Sequence, residues 1–181
     1  TFRNGTTAAS NPVTFVMPEE NVTLKACSAS QTNEYAVTVE HYLMGTDGTY
    51  PDIPYETTVK PYKYGAELNF TDAANEYEGF TLNIEKTKEM NAGYTGTVTG
   101  DVKLKIYYDR NRYTVTVEHY YMDTSGNYPD KPSVAEDLTP YYGETLVHKN
   151  LAREIKGLSF NENKTIQENG NRTQTLVTGN T

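Results

Sequence analysis

One stretch of the chain occurs twice. Residues 35–54 read YAVTVEHYLMGTDGTYPDIP and residues 113–132 read YTVTVEHYYMDTSGNYPDKP, identical at 14 of 20 positions without a gap and 78 residues apart. A fixed period of this kind constrains the fold before any local reading does, because each repeat must be one supersecondary unit. The spacing predicts two tandem modules, at 35–109 and 113–181, preceded by a segment at 1–30 that belongs to something before them. A module of this size buries only about 60% of its unfolded surface, so each is helped by its neighbours.

Inside the repeat, Val37, Val39 and His41 alternate with Thr38, Glu40 and Tyr42, and Val115, Val117 and His119 do the same in the second copy. Period-two alternation predicts a strand with one buried face. Thr46-Asp47-Gly48 and Asp123-Thr124-Ser125-Gly126 supply turns. The chain is expected to return as a second strand over Tyr50–Val59, an edge strand because Pro51 and Pro54 cannot donate to a ladder. A weak helix is predicted somewhere in Ala66–Tyr77, and a better one in the second module, where Val147, Leu151 and Ile155 fall at i, i+4 and i+8. Phe80, Leu82 and Ile84 are in phase for a third strand. Val102, Leu104, Ile106 and Tyr108 form the apolar face of a closing strand, whose Lys103 and Lys105 would face Glu40 if it lies beside the first. Thr97–Asp101 aligns with Leu176–Asn180, so the second module is expected to lack the counterpart of that closing strand.

Val13–Met17 and Val22–Cys27 give two short strands about Pro18–Asn21, a hairpin that needs partners elsewhere. Asp109–Arg112 joins the two modules. Four residues cannot be a long flexible tether, so the relative orientation should be restricted.

The charge balance of 16 Lys+Arg against 24 Asp+Glu gives a net −8, which repels phosphate backbones and argues against nucleic acid. No apolar run approaches the ~18–20 residues of a membrane span, so no membrane insertion is expected. Cys27 stands alone, which removes any intrachain disulfide and leaves an inert thiol as its reading. Sixteen tyrosines, no tryptophan and abundant Thr, Asn and Gly suit pleated half-buried surfaces and tight turns. A β-rich extracellular module has this composition.

No catalytic motif is present, and His41 and His119 at the same position of both copies read as packed structural histidines rather than duplicated bases. His148 reads as a surface residue. Asp123, Ser125, Asn127 and Asp130 are loosely calcium-like in spacing, but a hairpin turn explains them better, and no metal or cofactor is expected. The candidate ligand-binding residues are Tyr50 and Asp52, their counterparts Tyr128 and Asp130, and the loop tyrosines Tyr62 and Tyr141. Loop tyrosines give flat, rigid contacts for a glycan or protein, though they can equally cap the module's own core. Lys25, Lys103, Lys105 and Lys149 are available for a Lys–Asn isopeptide crosslink.

The order VTVEHYxM, a glycine turn, a Tyr-Gly step, a Gly-Phe or Gly-Leu pair, TGTVTGD and a closing VKLKIYY resembles the mucin-binding-protein (MucBP) repeat and the related internalin-type B-repeats of Gram-positive surface proteins. NPVTFVMPEENVTLKA likewise resembles the closing hairpin of bacterial surface repeats. The resemblance implies a mainly β (α+β) chain of tandem β-grasp, ubiquitin-like modules. Each would be a small mixed sheet with at most one short helix, in an elongated array. It further implies a non-enzymatic, monomeric adhesive or stalk segment outside a bacterial cell, attached to the wall through regions beyond this stretch. Its partners would be neighbouring repeats and host glycans or glycoproteins such as mucin.

Overall fold

The computed structural model describes residues 33–180. The hairpin expected within 1–30, Lys25 and Cys27 lie outside the described residues. The described chain is mainly β, with small sheets and short helices. No described helix is long and apolar enough to cross a membrane.

The first repeat opens with β1, Glu34–Leu43, whose Val37, Val39 and His41 point inward as the alternation requires. It pairs antiparallel with β2, Glu56–Lys63, in a register that sets Val37 opposite Lys60 and His41 opposite Glu56. The return strand therefore starts six residues later than Tyr50. Pro51 and Pro54 lack the N–H a ladder needs, and pairing resumes only past them. One short turn follows, α1, Phe70–Ala73, capped by the Asn69 side chain accepting from Asp72 N–H. This is the weak helix expected somewhere in Ala66–Tyr77.

Strand β3, Phe80–Leu82, ends before Ile84. Ile84 instead opens α2, Ile84–Met90, because Asn83 caps the helix by accepting from Lys86 N–H at 2.8 Å. Ile84 in phase with Leu82 hid this boundary from the alternation. The module thus carries two short helices rather than at most one. Thr87 of α2 is fully buried and accepts the Tyr107 N–H at 3.0 Å, which fastens the helix to the last strand.

That last strand, β4, Val102–Arg110, runs parallel to β1, with Val102 beside Val37, Leu104 beside Val39 and Ile106 beside His41. It pairs antiparallel with β3 on its other side, giving the sheet order β2-β1-β4-β3. The core is Val37, Val39, Leu104, Ile106 and Tyr108, closed by Leu68 and Val98 from the loops. On the opposite face Lys103 reaches Glu40 at 2.7 Å, as anticipated, and Tyr42 stacks on Tyr107 with ring centroids 4.8 Å apart.

The second repeat reuses the start of this plan. Strand β5, Val115–His119, pairs with β6, Val134–Leu138, in the register of β1 with β2 displaced by the repeat. The remaining strands, β7 (Thr145–Val147) and β8 (Gln174–Leu176), form a separate pair, so this half is two antiparallel ladders and not one mixed sheet. The predicted helix through Ile155 is only one turn, α3, His148–Leu151, because Ala152 already has extended dihedrals. A helix not foreseen, α4, Glu162–Glu168, is capped by Asn161 in the way Asn83 caps α2. Its core is small: Val115, Leu146 and Val177.

Leu104→Ala empties a fully buried site between two strands and should destabilise the first repeat by about 2–5 kcal/mol. Val59→Ala, 62% exposed, should change stability by under about 0.5 kcal/mol. Urea denaturation of the two variants checks the contrast. Equal losses would place Leu104 outside the core.

Candidate functional site

The sequence-predicted site residues fall in three different environments. Tyr50 is half-buried, its hydroxyl donates to Asp109, and its ring meets Tyr107 edge-on at 4.9 Å. Burial, and then the Asp109 carboxylate, push its phenol well above the usual range, so the hydroxyl stays protonated. Tyr128 occupies the same position in the second repeat and accepts from Asn161 at 3.1 Å. Tyr62 packs against the first core. Tyr141 lies under the Arg112 guanidinium at 4.1 Å and takes a 2.7 Å hydrogen bond from it. Asp52 and Asp130 are exposed. Tyr50, Tyr62 and Tyr128 are thus engaged within their own modules, while Tyr141 sits at the joint, its hydroxyl close to Gly48 of the first repeat.

The structure brings together a neighbouring surface. Leu43, Pro51, Ile53, Tyr55, Tyr77, Glu78, Phe80 and Arg110 line an open groove of about 590 Å³. Ile53 is 77% exposed and Tyr55 69%. Arg110 stacks over Phe80 at 4.7 Å, and Tyr55 meets Tyr77 edge-on at 5.6 Å. Apolar rings beside one cation and one carboxylate form a surface suited to a sugar face or an extended peptide. Sequence reasoning picked out the Tyr-Pro-Asp motif and passed over Ile53 and Tyr55. Two large apolar residues flanking Pro54 in a stretch without a ladder were the available signal.

Tyr77 connects the groove to a polar network. His41 is buried, with Nδ1 2.9 Å from the Tyr108 hydroxyl and Nε2 3.4 Å from Asn75 Nδ2. The Tyr108 hydroxyl also accepts the Asn75 N–H, and Tyr77 donates to Glu56 at 2.6 Å. Desolvation holds the His41 imidazole below its usual value and pushes the Tyr108 phenol up to about 12. The Tyr77 hydrogen bond keeps Glu56 ionised. Each group has a protein partner, so the arrangement works as a specified core. In the second repeat His119 pairs with Glu136 at 2.9 Å. His148, expected at the surface, is half-buried, and its Nε2 meets Thr175 Oγ1 at 2.9 Å. In the glycine turn, Asp123 accepts the N–H groups of Ser125 and Asn127, which is turn chemistry. Lys103 is paired with Glu40, and Lys105 lies over the Tyr42 ring at 5.9 Å.

The two repeats meet at Arg110. Its Nε donates to Met44 O and its Nη1 to Tyr142 O, both at 2.8 Å, so one guanidinium ties the backbones of both repeats. Asn111 donates to Gly79 O and accepts from Tyr142 N–H. The Tyr142 ring lies so close to Gly79 that a Cβ there would meet it at 2.2 Å, and Gly79 has φ +77°. Glycine is required on both counts.

A scan against family models, a search of curated proteins and a search of solved structures each found no match to this chain.

His41 supplies a pH test. Its folded pKa lies below its unfolded value, so the unfolded chain takes up the proton first. Its contribution is fully present above about pH 6.5 and is lost as pH falls below that. By NMR, the His41 ring should titrate below about 6.5, and His41→Gln should flatten the stability slope as pH falls below about 6.5. A midpoint at or above the free-histidine value would contradict the sealed network.

Proposed function

We propose that this chain is a non-enzymatic repeat segment of a bacterial cell-surface protein, built from tandem β-grasp modules and serving as a stalk or adhesive spacer. The observation that carries the reading is the Arg110–Gly79–Tyr142 junction. A joint of four residues is reinforced by a two-backbone arginine clamp and a ring seated on a glycine, and this fixes one repeat against the next. Fixed orientation is what a spacer needs and what a flexible string of binding beads does not. The order β2-β1-β4-β3, with β1 and β4 parallel at the centre, supports the β-grasp reading of the first repeat. The repeated VTVEHY strand, the acidic charge and the likeness to MucBP-type repeats support placement outside the cell in a multi-repeat surface protein. Both histidines of the repeated strand are committed to partners within their own repeats, which favours a structural over a catalytic role.

A second reading, an adhesive module for host glycans or glycoproteins, is favoured by one feature, the exposed Ile53–Tyr55 groove. On a glycan and mucin array it predicts saturable binding that Tyr55→Ala and Ile53→Ser reduce at least tenfold. No signal above background leaves the spacer alone.

The spacer reading is tested by ¹⁵N relaxation. The two repeats should report one shared rotational diffusion tensor, and Gly79→Val should split it into two. Independent tumbling in the unaltered chain would overturn the reading.

A further inference from the structure

We infer that the first repeat carries a pH-responsive relay, in which protonation of the buried His41 turns over the Asn75 side-chain amide and releases the Tyr77 wall of the exposed groove. The inference concerns this module alone and stands whether or not the groove takes a ligand.

The neutral imidazole suits its surroundings. Its Nε2 lies 3.4 Å from Asn75 Nδ2, an N–H donor, so Nε2 is the bare nitrogen that accepts. Nδ1 then carries the proton and donates to the Tyr108 hydroxyl at 2.9 Å. The Asn75 backbone N–H donates to the same hydroxyl at 2.8 Å, which fills both of its lone pairs and holds Asn75 in place. The Asn75 amide nitrogen also faces Glu56 Oε2 and the Tyr77 hydroxyl, each at 3.3 Å. Tyr77 closes the ring by donating to Glu56 at 2.6 Å. One amide thus stands between an imidazole and a carboxylate, as a donor toward both.

A second proton on His41 breaks this arrangement at one point. Both ring nitrogens become donors. Nδ1–H keeps its bond to Tyr108, but Nε2–H now meets the Asn75 amide hydrogens, donor against donor. Turning the amide over offers Oδ1 to Nε2–H. The same turn sets Oδ1 against the Glu56 carboxylate, acceptor against acceptor. Asn75 cannot serve the imidazolium and Glu56 together, so the Tyr77–Glu56 pair loses its third member and shifts. Tyr77 lines the groove and meets Tyr55 edge-on at 5.6 Å, and Tyr55 is exposed and has room to follow. The titratable and charged groups facing His41 are Glu56 and Lys60 of β2, Tyr108 of β4, and Tyr77 from the segment before β3. Burial opposes the imidazolium most, Glu56 favours it and Lys60 opposes it, so the relay switches on the acid side of histidine's ordinary range. The repeat period puts Ser133, Arg153 and Ile155 at the positions of Tyr55, Asn75 and Tyr77. The second repeat keeps the histidine and not the relay.

The test uses the full 181-residue chain with ¹³C-labelled isoleucine methyls and ring-labelled tyrosine and histidine. It is titrated by NMR from neutral pH downward through histidine's ordinary value of about 6.5. The Ile53 methyl and the Tyr55 and Tyr77 rings should shift with the midpoint read from the His41 ring itself, while the Ile84 methyl of α2 stays fixed. His41→Gln should abolish the step at that midpoint. Asn75→Ala changes an exposed side chain and keeps the backbone N–H that Tyr108 accepts. It should leave His41 titrating and remove the response of Ile53 and Tyr55. Three results would overturn the inference. Ile53 and Tyr55 do not follow His41; or they follow it undiminished in Asn75→Ala, which would make the effect a direct field of the imidazolium; or Ile84 moves at the same midpoint, which would make the event unfolding.

Discussion

The parallel pairing of β1 with β4 is the interaction on which the first repeat depends. It brings together strands separated by most of the module, so the intervening chain must cross over to set them parallel. Once formed, it interleaves Val37, Val39 and His41 with Leu104, Ile106 and Tyr108 on one face, and Glu40 and Tyr42 with Lys103 and Tyr107 on the other. Among the described residues, β5 of the second repeat pairs with β6 alone, the buried apolar cluster is Val115, Leu146 and Val177, and Tyr120 is 39% exposed. The shared VTVEHY sequence is therefore packed differently in the two repeats.

The duplicated VTVEHY stretch looks like a reactive site, yet its polar side chains are engaged within their own repeats. Buried glutamate, histidine and tyrosine in close array would suggest acid–base chemistry. In the first repeat, however, the histidine is sealed between Tyr108 and Asn75, and the glutamate is spent on Lys103. A satisfied buried polar network rigidifies and specifies one packing. The Arg110 clamp continues the same economy into the joint, since one side chain at the end of β4 satisfies carbonyls of both repeats.

Much of the fold was legible where alternation was uninterrupted. Both copies of the opening strand, the β4 face and the Lys103–Glu40 pair follow from period-two patterning and simple adjacency. The helices were not legible in the same way. The α2 boundary was masked because Ile84 continues the phase of Phe80 and Leu82, although Asn83 followed by Glu85 is a capping signal, as is Asn161 followed by Glu162. Conversely, the i, i+4 spacing of Val147, Leu151 and Ile155 suggested a helix that ends at Leu151 because the following backbone turns extended. The candidate site was legible only in part. Tyr-Pro-Asp marked the right loop, but sequence cannot say that the Tyr50 hydroxyl turns inward to Asp109 while Ile53 and Tyr55, beyond the motif, remain outside.

The claim that pairing with β4 is what secures β1 is tested most directly by native-state amide hydrogen exchange. Amides of Val37–His41 should exchange at least about a hundredfold more slowly than those of Val115–His119 under the same conditions. Equal protection of the two strands would contradict the account, because it would mean that β4 contributes nothing that β5 lacks.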